Sequence, residues 1–386
     1  MKKIFLTILF SACCILNAAE DKILLIAADD LSRDWISAYG SVNKTPVIDK
    51  LAENGLRFTT NWQSAVDKNQ SEKNFLTGSY KGTGTPFPIL LKTNGYKTIY
   101  LGSANSKTFL KDQNNIKKTG FQLFSINSGE IRNFDPQKSL SETVLSSLKE
   151  PGKVFVMVRF SKSSLKSKAD YTKYLNDIEN FMKEISILLK KSSKVNVIFT
   201  AVSGAHIHEK IIVQLDKKSS RNPFAENKKY KEEKFAVKDK DICLPLIVKS
   251  PLIPETGLFT RDLINTTDIS HTILDLAGIK IDSDKIRWSF KPVISGDLDP
   301  RQKRNWIFCD ANKEKLIRSW DYVYYTNEKI FEINSDPEQK MNLLVGKNNN
   351  KIYAGERVRL KMIYEREFLG KKPNMSELEK IETLKK

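Results

Sequence analysis

Apolar and polar positions along the chain fall into blocks of two kinds. Residues 22–28 (KILLIAA) form an unbroken apolar run that ends in the polar pair Asp29-Asp30. A run of that length without alternation predicts a strand buried on both faces, as in a parallel sheet. Further strands are predicted over 97–101, 153–160, 195–200 and 244–248. Between them the spacing turns helical. A helix is predicted over 45–54 with Pro46 near its first turn, another over 89–93, and a long one over 171–190. In the long one Tyr174, Ile178, Phe181, Ile185 and Leu188 recur at helical spacing, and a later helix over 264–277 is closed by Gly278.

Alternation of strand and helix predicts an α/β fold, a mainly parallel sheet sandwiched by helices. Beyond about residue 300 the pattern changes. Short aromatic-rich segments over 306–309, 320–326 and 329–333, with a tight Asn327-Glu328 connection, predict an antiparallel meander, and 354–368 reads as a helix. The expected organisation is a leader over 1–19, an α/β domain over 20–300 and a small C-terminal α+β subdomain over 301–386. The lysine-rich stretch 213–240 reads as a loop insertion.

Composition adds two constraints. With 386 residues, 40% hydrophobic and 28% charged, the chain has the make-up of a globular protein. Its formal charge of +18 comes mainly from lysines scattered along its length. Such an excess favours anionic partners, polysaccharide sulfates among them, although a solvated lysine surface accounts for it equally. Lys2 and Lys3, the apolar run 4–16 and the small residues Ala18 and Ala19 have the order of a signal peptide. A secreted or periplasmic location follows, with lipoprotein anchoring through Cys13 disfavoured by Phe10. No later segment is apolar enough to be a transmembrane segment. Cys243 and Cys309 lie far apart, which excludes a CxxC metal or redox site.

Chemistry is expected beyond the carboxyl ends of the strands. There Asp29 and Asp30 form a carboxylate pair suited to calcium or magnesium, though such a pair equally ends a strand in a turn. The segment 24–62 (LLIAADDLSRDWISAYGSVNKTPVIDKLAENGLRFTTNW) carries the DD pair, the YG, the TP-x-ID-x-LA helix and the G-x-RFT strand. FLTGSY (75–80), GYKTIYLG (95–102), VNVIFT (195–200), LPLIVKSP (244–251), TDISHTILDLAGI (267–279) and FEINSDPEQKMNLL (331–344) follow in order. In these phrases the chain resembles the sulfatase family, with its alkaline-phosphatase-like fold, over nearly the whole length.

The resemblance implies hydrolysis of sulfate esters by a formylglycine made from Cys or Ser in a C/S-x-P-x-R motif, beside a bound calcium. The present residues depart from that set. Counting back from the LTG puts Lys68 in the nucleophile's place, and counting forward puts Asp67 there; neither can become formylglycine. In the first register Gln70 replaces the motif proline and Glu72 its arginine. Ser103 falls in the slot of a sulfate-contacting lysine, and Asn105 or Ser106 in that of a histidine. Where some members carry a histidine after the middle strand, FSKSS (160–164) stands. In FTAVSG (199–204), Val202 replaces a metal-ligand aspartate and Ser203 its neighbour. Asp29 and Asp30 remain as metal ligands of a weakened site, and Lys234 as the substrate-binding lysine, although neighbouring lysines fit the same register.

Three functions are compatible with these residues. One is a catalytically inactive family member that binds sulfated or anionic glycans. Another is a sulfatase or phosphatase-like hydrolase with a rebuilt site, in which Asp67 becomes the nucleophile. The third is a scaffold that binds a protein partner. Nucleic acid is not expected as a partner of a secreted chain without a binding motif.

Overall fold

The computed structural model describes residues 22–102, 110, 112–126, 139–161, 167–189, 194–204, 237–280, 288–297, 303–344 and 350–372. The leader, the slots at 103–106 and most of the 213–240 insertion, with Lys234, lie outside the described residues.

β1 (Lys22–Ala28) is buried along its whole length at the middle of an eight-stranded sheet. In chain order the others are β2 (Leu56–Trp62), β3 (Lys97–Gly102), β4 (Leu123–Ile126), β5 (Val154–Phe160), β6 (Val195–Ala201), β7 (Leu246–Lys249) and β8 (Leu258–Asn265). They lie in the order β4-β3-β5-β1-β6-β7-β2-β8. All neighbours are parallel except β7, which runs against both β6 and β2. The pleat sends alternate residues of β1 into two separate cores. Leu24, Ile26 and Ala28 pack with the Lys168–Leu189 and Pro46–Glu53 helices on one face. Ile23, Leu25 and Ala27 pack with Phe75, Leu76 and Ile273 from the Lys68–Thr77 and Thr266–Leu276 helices on the other.

Local chemistry sets several element ends. Glu179 of the long helix accepts the Val47 and Ile48 N–H groups at 2.9 Å, satisfying the first turn of a helix whose Thr45 makes no side-chain cap. Gly78, the glycine of the LTG, closes the Lys68–Thr77 helix at φ 65°, and a Cβ there would overlap the buried His271 ring.

Some boundaries differ from the sequence reading. Ile264 and Asn265 belong to β8, and the helix starts at Thr266, capped by Asn265. The apolar pair Leu263-Ile264 closes the apolar part of the strand, and the polar stretch Asn265-Thr266-Thr267-Asp268 that follows is the capping box that starts the helix. Pro245 delays β7 to Leu246, and the Leu244 N–H bonds instead to the Asn61 carbonyl at 2.8 Å.

A second sheet of β9 (Ile307–Ala311), β10 (Glu314–Arg318), β11 (Tyr322–Tyr325) and β12 (Lys329–Glu332) is antiparallel throughout. The sequence reading missed β10, whose EKLIR pattern is short and has three charged residues of five. The sheet is tied to the main body where Asp310 N–H donates to the Ser64 carbonyl and Val66 N–H to the Asp310 carbonyl. Asp239 extends the junction: it accepts the Trp62 indole N–H at 2.9 Å and pairs with Arg318 of β10. The Asn350–Leu369 helix covers the second sheet, with Phe368 stacked 3.8 Å from Phe308. Cys243 and Cys309 are separately buried free thiols. Burial pushes the Cys243 thiol up to about 12, so it stays protonated at neutral pH.

Candidate functional site

The candidate site lies where β1 and β5 end beneath the first turn of the Lys68–Thr77 helix. Asp29 and Asp30 follow β1 directly and are 1% and 3% exposed. Asp30 holds a left-handed backbone at φ 55°. Two tyrosines of the Lys168–Leu189 helix fix that turn. Tyr174 Oη donates to the Asp29 carbonyl and Tyr171 Oη to the Asp30 carbonyl, both at 2.8 Å. Ser203 Oγ accepts the Asp30 N–H at 3.2 Å.

Both carboxylates face protein cations. Arg159, opposite Ala27 in the β5–β1 register, sends its guanidinium onto Asp29, with Nη2 2.9 Å from Oδ1 and 3.0 Å from Oδ2. Its Nη1 contacts Glu72 Oε1 from the facing helix, and the other Glu72 oxygen accepts the Leu110 N–H at 2.7 Å. Arg159 and Glu72 are each 1% exposed, so this is a buried chain of charge: Asp29, Arg159, Glu72. Close by, Lys68 Nζ lies 2.5 Å from Asp30, and its side chain keeps 25% of its surface in solvent. Charged groups are tolerated at such depth because each has a partner.

The positions singled out in the sequence resolve as follows. Lys68 opens the helix and is bound to Asp30; Asp67, exposed, caps that helix by accepting the Gln70 N–H at 2.7 Å. Gln70 Nε2 donates to Asn74. Ser71 Oγ donates to the Val202 carbonyl at 2.8 Å, and the Val202 side chain lies in the apolar core. Sequence reasoning found Asp29, Asp30, Lys68 and Glu72 but missed Arg159. The available signal was a lone arginine in the apolar run VFVMVRF.

The donor set does not fit a calcium ion. Calcium takes six to eight oxygen ligands. Here both oxygens of Asp29 face Arg159, those of Asp30 face Lys68, and the backbone carbonyls of 29, 30 and 202 accept protein hydroxyls. Among the described residues no group of three or more His, Cys, Asp or Glu side chains is arranged to hold a metal.

The sulfatase family model matches residues 21–241, more than half of the chain. The chain belongs to the sulfatase family. An ulvan-active sulfatase of Formosa agariphila is 22% identical over 369 residues, covering 81% of this chain and 67% of its own. Among solved structures, Ps i-CgsB superposes with a TM-score of 0.68 at 15% identity, over 92% of this chain and 94% of its own. BT4656, solved with its substrate D-glucosamine-2-N,6-O-disulfate, gives 0.65 at 16% identity over 92% of this chain and 99% of its own. The fold is thus that of the alkaline-phosphatase-like superfamily, an α/β sheet with a small antiparallel sheet appended.

Proposed function

We propose that this sulfatase-family chain is secreted, binds sulfated or otherwise anionic glycans, and does not hydrolyse them. The observation that carries the reading is the first turn of the Lys68–Thr77 helix. An activated oxygen is needed there, but Lys68 offers an ammonium already committed to Asp30. A protonated amine held by a carboxylate has no lone pair with which to attack sulfur. Glu72 adds negative charge where a sulfate ester must be held, opposing the electrostatic stabilisation such a transfer needs. Asp67, the alternative nucleophile, spends its carboxylate on the helix cap.

Support for an anionic ligand comes from elsewhere on the chain. Besides the charge of +18, a cleft of about 410 Å³ beside β2 is lined by Arg33, Asp34, Tyr39, Arg57 and Thr59; Asp34 pairs with Arg33 at 3.3 Å, which leaves Arg57 as the cation offered to a ligand. The Arg57 guanidinium there lies between the rings of Tyr39 and Phe259, 5.5 and 5.6 Å from their centroids. The names of the relatives, an ulvan-active sulfatase and an enzyme crystallised with a disulfated glucosamine, agree with a sulfated sugar as the ligand class.

The test is to incubate the purified chain with sulfated oligosaccharides, read free sulfate by ion chromatography, and measure retention of the same sugars. Retention without release is expected, with weaker retention in Arg57→Ala. Release of sulfate that Asp29→Ala abolishes would refute the loss of catalysis. Absence of retention together with capture of a specific protein would favour a scaffold instead.

A further inference from the structure

We propose that two side-chain cations of this chain, the Arg159 guanidinium and the Lys68 ammonium, are the permanent counter-ions of Asp29 and Asp30. On this reading the pair of aspartates no longer takes up calcium, and the protein folds and stays folded without it. The proposal concerns the ion alone and stands apart from turnover, since a chain can lose hydrolysis and keep calcium, or the reverse.

The geometry makes the two cations unequal. Arg159 is fixed from both sides, by Asp29 on its own sheet and by Glu72 on the facing helix, and with 1% exposure it has no solvent into which to retreat. A divalent ion on Asp29 would stand against that guanidinium at close range in a medium that screens poorly. Displacing Arg159 would in turn leave Glu72 buried without its cation. Lys68 is the looser of the two, because its four-carbon stem reaches Asp30 from the solvent side.

Nearby neutral oxygens are occupied as well. An ion settling on the strand ends would need backbone carbonyls, and those of Asp29, Asp30 and Val202 accept Tyr174, Tyr171 and Ser71. Val202, whose N–H donates to the Ala28 carbonyl at 2.9 Å, turns an aliphatic side chain into the core and offers no carboxylate. The substitutions are mutually dependent. Glu72 alone would bury a bare carboxylate and Arg159 alone a guanidinium half-matched by Asp29; together with Lys68 they balance the site to within one charge, three carboxylates against two cations. The remaining charge of Glu72 is met by the Leu110 N–H.

Calcium titration by calorimetry on the full chain, paired with thermal melts in millimolar calcium and in excess EDTA, tests this. The expected result is no heat assignable to the aspartate pair and the same melting temperature in both buffers. An occupied site at a hundredfold excess of calcium over its dissociation constant would raise the melting temperature by about 3 °C for a chain this long. Lys68→Met should melt lower, because Asp30 is then buried without a cation, and should still show no calcium response while Arg159 holds Asp29; Lys68→Arg should behave as the parent. If Lys68→Met does not fold, the titration of the parent chain still decides. Binding to the parent that disappears in Asp30→Asn would overturn the proposal. Binding that persists in Asp30→Asn lies elsewhere and leaves the aspartate pair closed, as proposed.

Discussion

Arg159 is the residue on which the site turns. It joins a strand to a helix through two carboxylates, and all three charges are out of water. Removing one partner of a buried pair strands the other, so the cost greatly exceeds that of a surface pair. Arg159→Met should therefore lower unfolding stability by about 3–5 kcal/mol, read from urea denaturation. In a double-mutant cycle with Glu72→Gln the two changes should couple by roughly 0.5–3 kcal/mol. Additive effects, or a cost well under about 1 kcal/mol for the single change, would mean that the contact carries little energy. At this scale the sequence was half legible. Glu72 reads as a reversed charge from its distance to the LTG, and Val202 as a missing ligand from its motif. Arg159 is not legible that way, because its partners are neighbours through sheet register and helix packing rather than along the chain.

Among the elements, those with a clear apolar pattern were plain from the sequence, and both β1, with its unbroken run, and the Lys168–Leu189 helix, with its helical spacing, follow it closely. The Lys68–Thr77 helix was not, since KNQSEKNFLT has little apolar periodicity and its inward face carries Glu72, Ser71 and Asn74. That face meets the ends of β1 and β5, where Glu72 contacts Arg159 and Ser71 donates to the Val202 carbonyl, so its polar residues are paired rather than apolar. The link between β11–β12 and the Asn350–Leu369 helix is another polar junction. Arg357 and Lys361 reach from the helix to Glu328 in the turn. Burial alone would raise the Glu328 carboxyl, but the Arg357 hydrogen bond and the Lys361 charge outweigh it and hold the group below the usual glutamate range. A carboxyl lowered on folding stabilises the fold fully above its unfolded-state value, and that contribution is lost as pH falls through the lower folded-state value. Melting temperature followed on the acid side should thus fall less steeply in Glu328→Gln than in the parent, with the two curves parallel near neutral pH. Identical acid limbs would show that Glu328 does not couple the helix to the sheet.

For the whole molecule, the scaffold is that of the sulfatase family and the charges at its centre are paired with one another. The two cores on either face of β1 and the appended sheet belong to a fold that solved neighbours share over 92% of the chain. These features depend on apolar patterning, which tolerates divergence as long as faces and volumes are kept. The polar atoms at the ends of β1 and β5 depend instead on a few exact partners, and they bind one another. The aspartate pair with Arg159, Glu72 and Lys68 is self-neutralising to within one charge, so the proposed anionic partner would be met on surfaces such as the cleft around Arg57. The account rests on how Asp29 and Asp30 are held, and an anomalous difference map from crystals grown in millimolar calcium views that directly. It predicts the Arg159 guanidinium on both oxygens of Asp29, the Lys68 ammonium on Asp30, and no calcium peak between them. A calcium peak bound by both aspartates, with Lys68 turned out to solvent, would contradict it.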